Sequence, residues 1–229
     1  MTSFFNTIFT RYPIKTKRLL EMLPGLVSWT LILFPVWGSF LIPYIVAYFI
    51  LFFDVYWFYK SFNLVITAFL SSKKIKIAEN TNWLQKVETT QNFHKVNHVV
   101  IIPNYKENLN KLRQTIKSIS IQTMPSQQIF VVLAMEKREK GAKQKADVLI
   151  NEFKGKFADI FATYHKDLAA EVRGKSSNEA HAGKIAYNTL IKAGIIDINY
   201  ATVSSVDADS IFDKQYFAYL TFAFLSDPK

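Results

Sequence analysis

From Pro24 to Phe53 the chain runs for 30 residues without one charged side chain. About 20 apolar residues suffice to cross a bilayer as a helix, so a run of this length reads as membrane-spanning. It is too long for a signal peptide, whose apolar core spans about 15 residues and ends at a small-residue cleavage site. The segment is therefore expected to stay in the mature protein. Trp29, Trp37, Tyr44, Tyr48, Tyr56, Trp57 and Tyr59 supply the amphipathic rings that favour the membrane interface.

A second apolar stretch, Phe62 to Leu70, follows Asp54 and Lys60, so residues 1–72 are read as a membrane anchor of one or two helices. Flanking charge favours a hairpin. Arg11, Lys15, Lys17 and Arg18 precede the apolar block, Lys73, Lys74 and Lys76 follow it, and positive residues beside membrane segments stay cytoplasmic. Pro35, Gly38 and Pro43 are the candidate reversal points. A single kinked span is the alternative, because membrane helices tolerate proline.

The net charge of +10 raises the question of nucleic acid. Much of the excess flanks the apolar block, where anionic headgroups account for it, and with no recognition motif nearby, no nucleic-acid partner is expected. The chain has no cysteine, which excludes disulfides and thiolate metal sites. His94, His98, His165 and His181 show no ligand spacing and read as surface or linker residues.

Residues 73–95 read as a polar linker in which Trp83 and Leu84 form an anchor on the membrane or the next domain. From residue 96 the pattern changes to alternating strand and helix. Val99 to Ile102 is a β-branched run stopped by Pro103, and Leu109, Leu112, Ile116 and Ile119 recur at helical spacing. Ile129 to Met135 is a second strand, Ala146, Leu149, Ile150 and Phe153 a second helical stripe, and Ile160 to Tyr164 a third strand. Ser176 followed by Glu179 is a capping-box signature, predicting a helix from about Ser177 to a stop at Gly194. Tyr200 to Val206 is the fourth strand. Four alternations imply an α/β unit with a parallel sheet and helices on its faces, and in such sheets ligands bind beyond the carboxyl ends of the strands.

That rule gathers Tyr105, Lys106 and Glu107 after the first strand, Glu136 after the second, and Asp207 and Asp209 after the fourth. In extended backbone residues i and i+2 point to one side, so both aspartates are expected to offer oxygen to one hard divalent ion and its phosphates. No glycine-rich phosphate loop is present in the sequence. A carboxylate-held metal would replace it.

Val99-Val-Ile-Ile-Pro-Asn-Tyr-Lys-Glu107, Gly174-Lys-Ser-Ser-Asn178 and Val206-Asp-Ala-Asp-Ser210, in this order and spacing, resemble family 2 glycosyltransferases of the GT-A fold, the group of cellulose and hyaluronan synthases. The resemblance covers residues 96–229. It implies a GT-A, Rossmann-like parallel sheet and transfer of a sugar, with inversion, from a nucleotide-diphosphate donor to a lipid-linked or polysaccharide acceptor. Carried over by residue, Pro103, Tyr105 and Glu107 border the base, Lys175 and Asn178 lie along the nucleotide, and Asp207 and Asp209 meet ribose, diphosphate and Mg²⁺ or Mn²⁺. Glu136 stands where the family usually has Asp, as a base contact. The family's general base lies well beyond the Asp-x-Asp motif; Asp213 and Asp227 lack its surroundings, so the base is expected beyond Lys229 and the apolar run from Tyr216 to Leu225 to be an unfinished packing surface. The cationic flanks on both sides of the apolar block lead to the expectation of a cell (inner) membrane location with the catalytic domain cytoplasmic. Two rivals are a haloacid-dehalogenase-like phosphatase, whose Asp-x-Asp lies on its first strand, and a non-catalytic membrane-tethered nucleotide-binding module.

Overall fold

The computed structural model describes residues 13–166, 171 and 174–226. It divides into two compact units, Met1–Asn80 and Thr81–Lys229. The first holds two helices, α1 (Pro13–Leu41) and α2 (Pro43–Glu79). Between them the chain reverses at Ile42, and Pro43 opens α2 where its missing N–H costs nothing. The reversal brings the Phe34 and Phe49 rings to 5.0 Å. A Cβ on Gly38 would lie 2.8 Å from Val46 Cγ2, so glycine is what lets the helices approach there. Of the three candidate reversal points, Pro43 makes the turn, Gly38 the close crossing, and Pro35 remains inside α1.

Each helix is long and apolar enough to cross a membrane. The 37 residues of α2 extend about 55 Å, well past the roughly 30 Å of a hydrocarbon core, and Lys73, Lys74 and Lys76 occupy its last turns. Beyond Val46, large apolar side chains such as Leu33, Phe40, Trp57 and Phe58 point outward.

The second unit is α/β. Strands β1 (Asn97–Asn104), β2 (Ile129–Glu136), β3 (Asp159–His165) and β4 (Ala201–Ser205) form one parallel sheet in the order β3-β2-β1-β4. Alternation sends Val100 and Ile102 of β1 to one face and Val99 and Ile101 to the other, so both faces need cover. On the first face lie α4 (Leu109–Ser120), α5 (Ala142–Glu152) and α7 (Tyr216–Ser226), contributing Leu112, Ile116, Leu149 and Phe217. On the second, α6 (Lys175–Ala186) contributes Ala182 and Ala186 and passes into a single π turn, Tyr187–Ile191. The alternation of strand and helix expected from periodicity is present throughout.

Several local expectations change. Residues 83–95, linker by sequence pattern, form α3 (Trp83–Val87) and a short 3-10 turn that bury Val87 and Phe93 in the first core. Trp83 anchors within this unit: its N–H donates to Gln215 at 2.6 Å and its ring meets those of Tyr219 and Phe222 of α7. The apolar run from Tyr216 is accordingly not an open surface, since Phe217, Ala218 and Thr221 are fully buried. β1 continues through Pro103 to Asn104, because a missing N–H is tolerated near a strand end.

The Ser176–Glu179 capping box does not form. The helix starts one residue before Ser176, with Gly174 at the cap, and Glu179 instead accepts from Ser205 Oγ at 2.5 Å. His98 and His165 are buried rather than superficial. His98 bridges Thr202 Oγ1 at 2.6 Å and Thr221 Oγ1 at 2.7 Å, tying β1 to β4 and α7. The polar partners explain how an imidazole enters the core.

Candidate functional site

A cleft of about 350 Å³ opens at the carboxyl ends of β1, β2 and β4. Pro103, Tyr105, Glu107, Glu136, Lys175, Asn178, Asp207 and Asp209 all line it. Thus the eight residues to which the resemblance gives a site role are brought to one place, together with Asn104, Arg138, Gly174 and Ala208, whereas Lys106, gathered by the strand-end rule, does not line the cleft. The sheet order achieves this: β1 lies between β2 and β4, so residues following those three strands become neighbours.

The acidic pair reaches the cleft by a route other than the one expected. β4 ends at Ser205, and a turn closed by Ser210 N–H donating to Asp207 O at 3.1 Å carries both aspartates. The strand-periodicity argument fails because pairing to β1 stops at Ser205. Buried Ala208 pins the turn to the core while Asp207 and Asp209 remain exposed. Lys175, at the start of α6, hydrogen-bonds Asp207. That bond raises the ammonium pKa above its ordinary value, with desolvation opposing and the charges of Asp207 and Glu179 assisting.

Glu136, the last residue of β2, is 2% exposed. Its Oε2 lies 3.4 Å from Arg138 Nε and 3.6 Å from His165 Nδ1 but accepts no hydrogen bond among the described residues. Arg138 stacks over Tyr105, guanidinium carbon to ring centre 4.1 Å. Asn178 is buried and donates to the Ala134 carbonyl of β2 at 2.7 Å, so its amide joins α6 to the sheet; its Oδ1 has no donor among the described residues. Asn104 Oδ1 shares that condition. An unmet buried acceptor is costly, and three such residues around one cleft suit a ligand that brings donors.

Among the described residues, no three of His, Cys, Asp and Glu cluster as a ready-made metal cage. Two strand-end carboxylates are nevertheless the donor set that fits Mg²⁺ or Mn²⁺ held jointly with a substrate's phosphates, since such ions take one or two carboxylates and complete their shell from phosphate and water. Asp213 does not line the cleft; it accepts from Gln215 N–H at 2.9 Å as a local turn residue. Asp227 lies outside the described residues.

Sequence pattern does not mark Arg138 or Asn104 as cleft residues. Both lie within two residues of a strand end, so a search of every residue near the carboxyl edge would have found them.

No protein-family model matches the chain. No curated protein matches it either. Among solved structures that match is the mannosyltransferase PcManGT from Pyrobaculum calidifontis, in complex with GDP-Man and Mn2+. It is 24% identical, the match covers 58% of this chain and 33% of that one, and the TM-score is 0.37. The chain thus spans about a third of that protein's length.

Proposed function

We propose that the chain is a glycosyltransferase of the GT-A type, related to family 2, whose cleft binds a nucleotide-diphosphate sugar. The observation that carries the reading is convergence. Segments 103–107, 174–178 and 207–209, distant in sequence and each resembling a family motif, line one cleft at the carboxyl edge of a parallel sheet.

Charge supports a metal. Glu107, Glu136, Asp207 and Asp209 face only Arg138 and Lys175 among the charged lining residues, four against two. A diphosphate entering that lining meets net negative charge, and a divalent cation at Asp207 and Asp209 offsets it. When bound, the ion stabilises negative charge developing on the leaving diphosphate. Lys175, moving from Asp207 to a phosphate oxygen, adds a second cation. Tyr105 offers a ring face to the base, and Pro103, Glu107 and Glu136 border it, with Asn178 along the nucleotide. The acceptor is proposed to be lipid-linked or a polysaccharide and transfer to invert the sugar, as the family resemblance implies.

The two apolar helices are proposed to anchor residues 1–72 in the cell membrane as a hairpin with both ends cytoplasmic, the α/β unit acting on that side. Single cysteines at Thr2 and Ser72 test this, since the chain has none of its own. Labelling of either from outside intact cells overturns the hairpin orientation. For the site, calorimetry of the full chain in detergent with UDP and GDP is expected to show binding with Mn²⁺ and roughly tenfold or weaker binding after chelation or in Asp209→Ala. Equal affinity in all three conditions sinks the metal-bridged reading.

A further inference from the structure

We infer that Glu139, in the turn between β2 and α5, is a positioning residue that holds the Tyr105 loop in its ligand-ready shape. The inference rests on the nucleotide-cleft reading above. Glu139 is 8% exposed and is not among the cleft-lining residues. Its Oε2 accepts from Asn104 Nδ2 at 2.9 Å and from the Lys106 backbone N–H at 2.8 Å. The other oxygen, Oε1, pairs with Lys145, whose ammonium also donates to the Glu107 carbonyl at 2.7 Å. One buried carboxylate thus grips residues 104 and 106 directly and 107 through a lysine, bracketing Tyr105.

The loop needs such a grip. Lys106 has φ +62°, the left-handed region that a side chain disfavours. Residues 104–108, Asn-Tyr-Lys-Glu-Asn, contain no glycine to adopt it freely. In this conformation the Lys106 N–H makes a charge-assisted bond to Glu139. The same turn holds the ring as well, since Arg138, next to Glu139, stacks on Tyr105. The aromatic platform is therefore set before a ligand arrives, which spares the binding step the cost of ordering it.

The test uses the full chain in detergent and four variants: Glu139→Gln, Tyr105→Ala, the pair combined, and Glu139→Gln with Lys106→Gly. Hydrogen exchange is followed at residues 104–108, and GDP and UDP affinity is measured with Mn²⁺. Glu139→Gln is expected to speed Lys106 amide exchange about tenfold or more. It should also weaken nucleotide binding about as much as Tyr105→Ala, adding nothing in the double variant. Lys106→Gly should recover part of the loss, because glycine takes positive φ without help. A merely structural role gives additive losses and no rescue, and that result overturns the inference. Unchanged exchange at Lys106 in Glu139→Gln also overturns it. If neither nucleotide binds the wild-type chain, the reading of the cleft fails, while exchange at Lys106 still decides whether Glu139 holds the loop. Should Glu139→Gln not fold, Lys145→Met removes one arm of the clamp and is expected to loosen residues 106 and 107 in the same direction.

Discussion

The helical hairpin and the α/β unit use the same apolar residue types in opposite ways. In the hairpin, Leu33, Trp57 and Phe58 face outward and Val46 is a rare buried side chain. In the α/β unit β2 is buried along its whole length, and its one charged side chain, Glu136, lies at its carboxyl end. An apolar exterior is favourable only where the surroundings are themselves apolar. The contrast teaches that composition alone does not separate a buried core from an outward-facing apolar surface; the two helices of the hairpin carry the second, and each is long and apolar enough to cross a membrane.

Substitutions that place charge in each region test this contrast most severely. Leu133→Asp puts a carboxylate at the centre of the sheet, 1% exposed, and is expected to cost more than about 4 kcal/mol and unfold the α/β unit. Protease resistance and urea unfolding of the full chain in detergent would show it, and a native-like transition would mean that the core is not where it is placed here. Ile32→Asp, on the outside of α1, is expected to leave the α/β unit folded but to lower membrane insertion of α1 by about 3 kcal/mol in a glycosylation-reporter assay. Unchanged insertion would break the comparison, since an outward aspartate is harmless in water.

A subtler effect lies at a buried histidine. Burial lowers the His98 pKa from 6.5 to about 4. The native state keeps His98 neutral while the unfolded chain protonates it below about pH 6.5. The unfolded state therefore binds more protons in the window from pH 6.5 down to 4, and stability falls through that window by up to about 3 kcal/mol while staying level, for this group, above it. Urea unfolding at pH 7 and pH 5 measures the loss, and His98→Gln should flatten it. The smallest effect belongs to the sheet edge. Val203 of β4 is 67% exposed, so Val203→Thr should change stability by no more than about 0.5 kcal/mol, against the large loss at Leu133 in the central strand.

Short-range pattern made much of this protein legible. β-branched runs marked β1 and β2, helical spacing marked α4 and α5, and the strand-end rule selected Tyr105, Glu107, Glu136, Asp207 and Asp209, which the structure assembles in one cleft. These are properties of a residue and its near neighbours, and a chain carries them in linear order. What stayed hidden depends on partners remote in sequence. His98 reads as an ordinary polar residue until Thr202 and Thr221 meet its two ring nitrogens. Trp83 reads as part of a linker until α7 folds against it.

The sequence by itself determined the two-part character of the chain, the α/β class and the strand ends from which a site could be built, because hydrophobic period and the positions of charges act locally. Only the tertiary structure decided that β1 lies between β2 and β4, that the fourth strand stops at Ser205 so a turn presents Asp207 and Asp209, and that Glu139 reaches across to hold the Tyr105 loop. Strand order and side-chain partnership follow from which long-range pairings bury most apolar surface and leave fewest polar groups unmet, and that competition is settled among all elements at once.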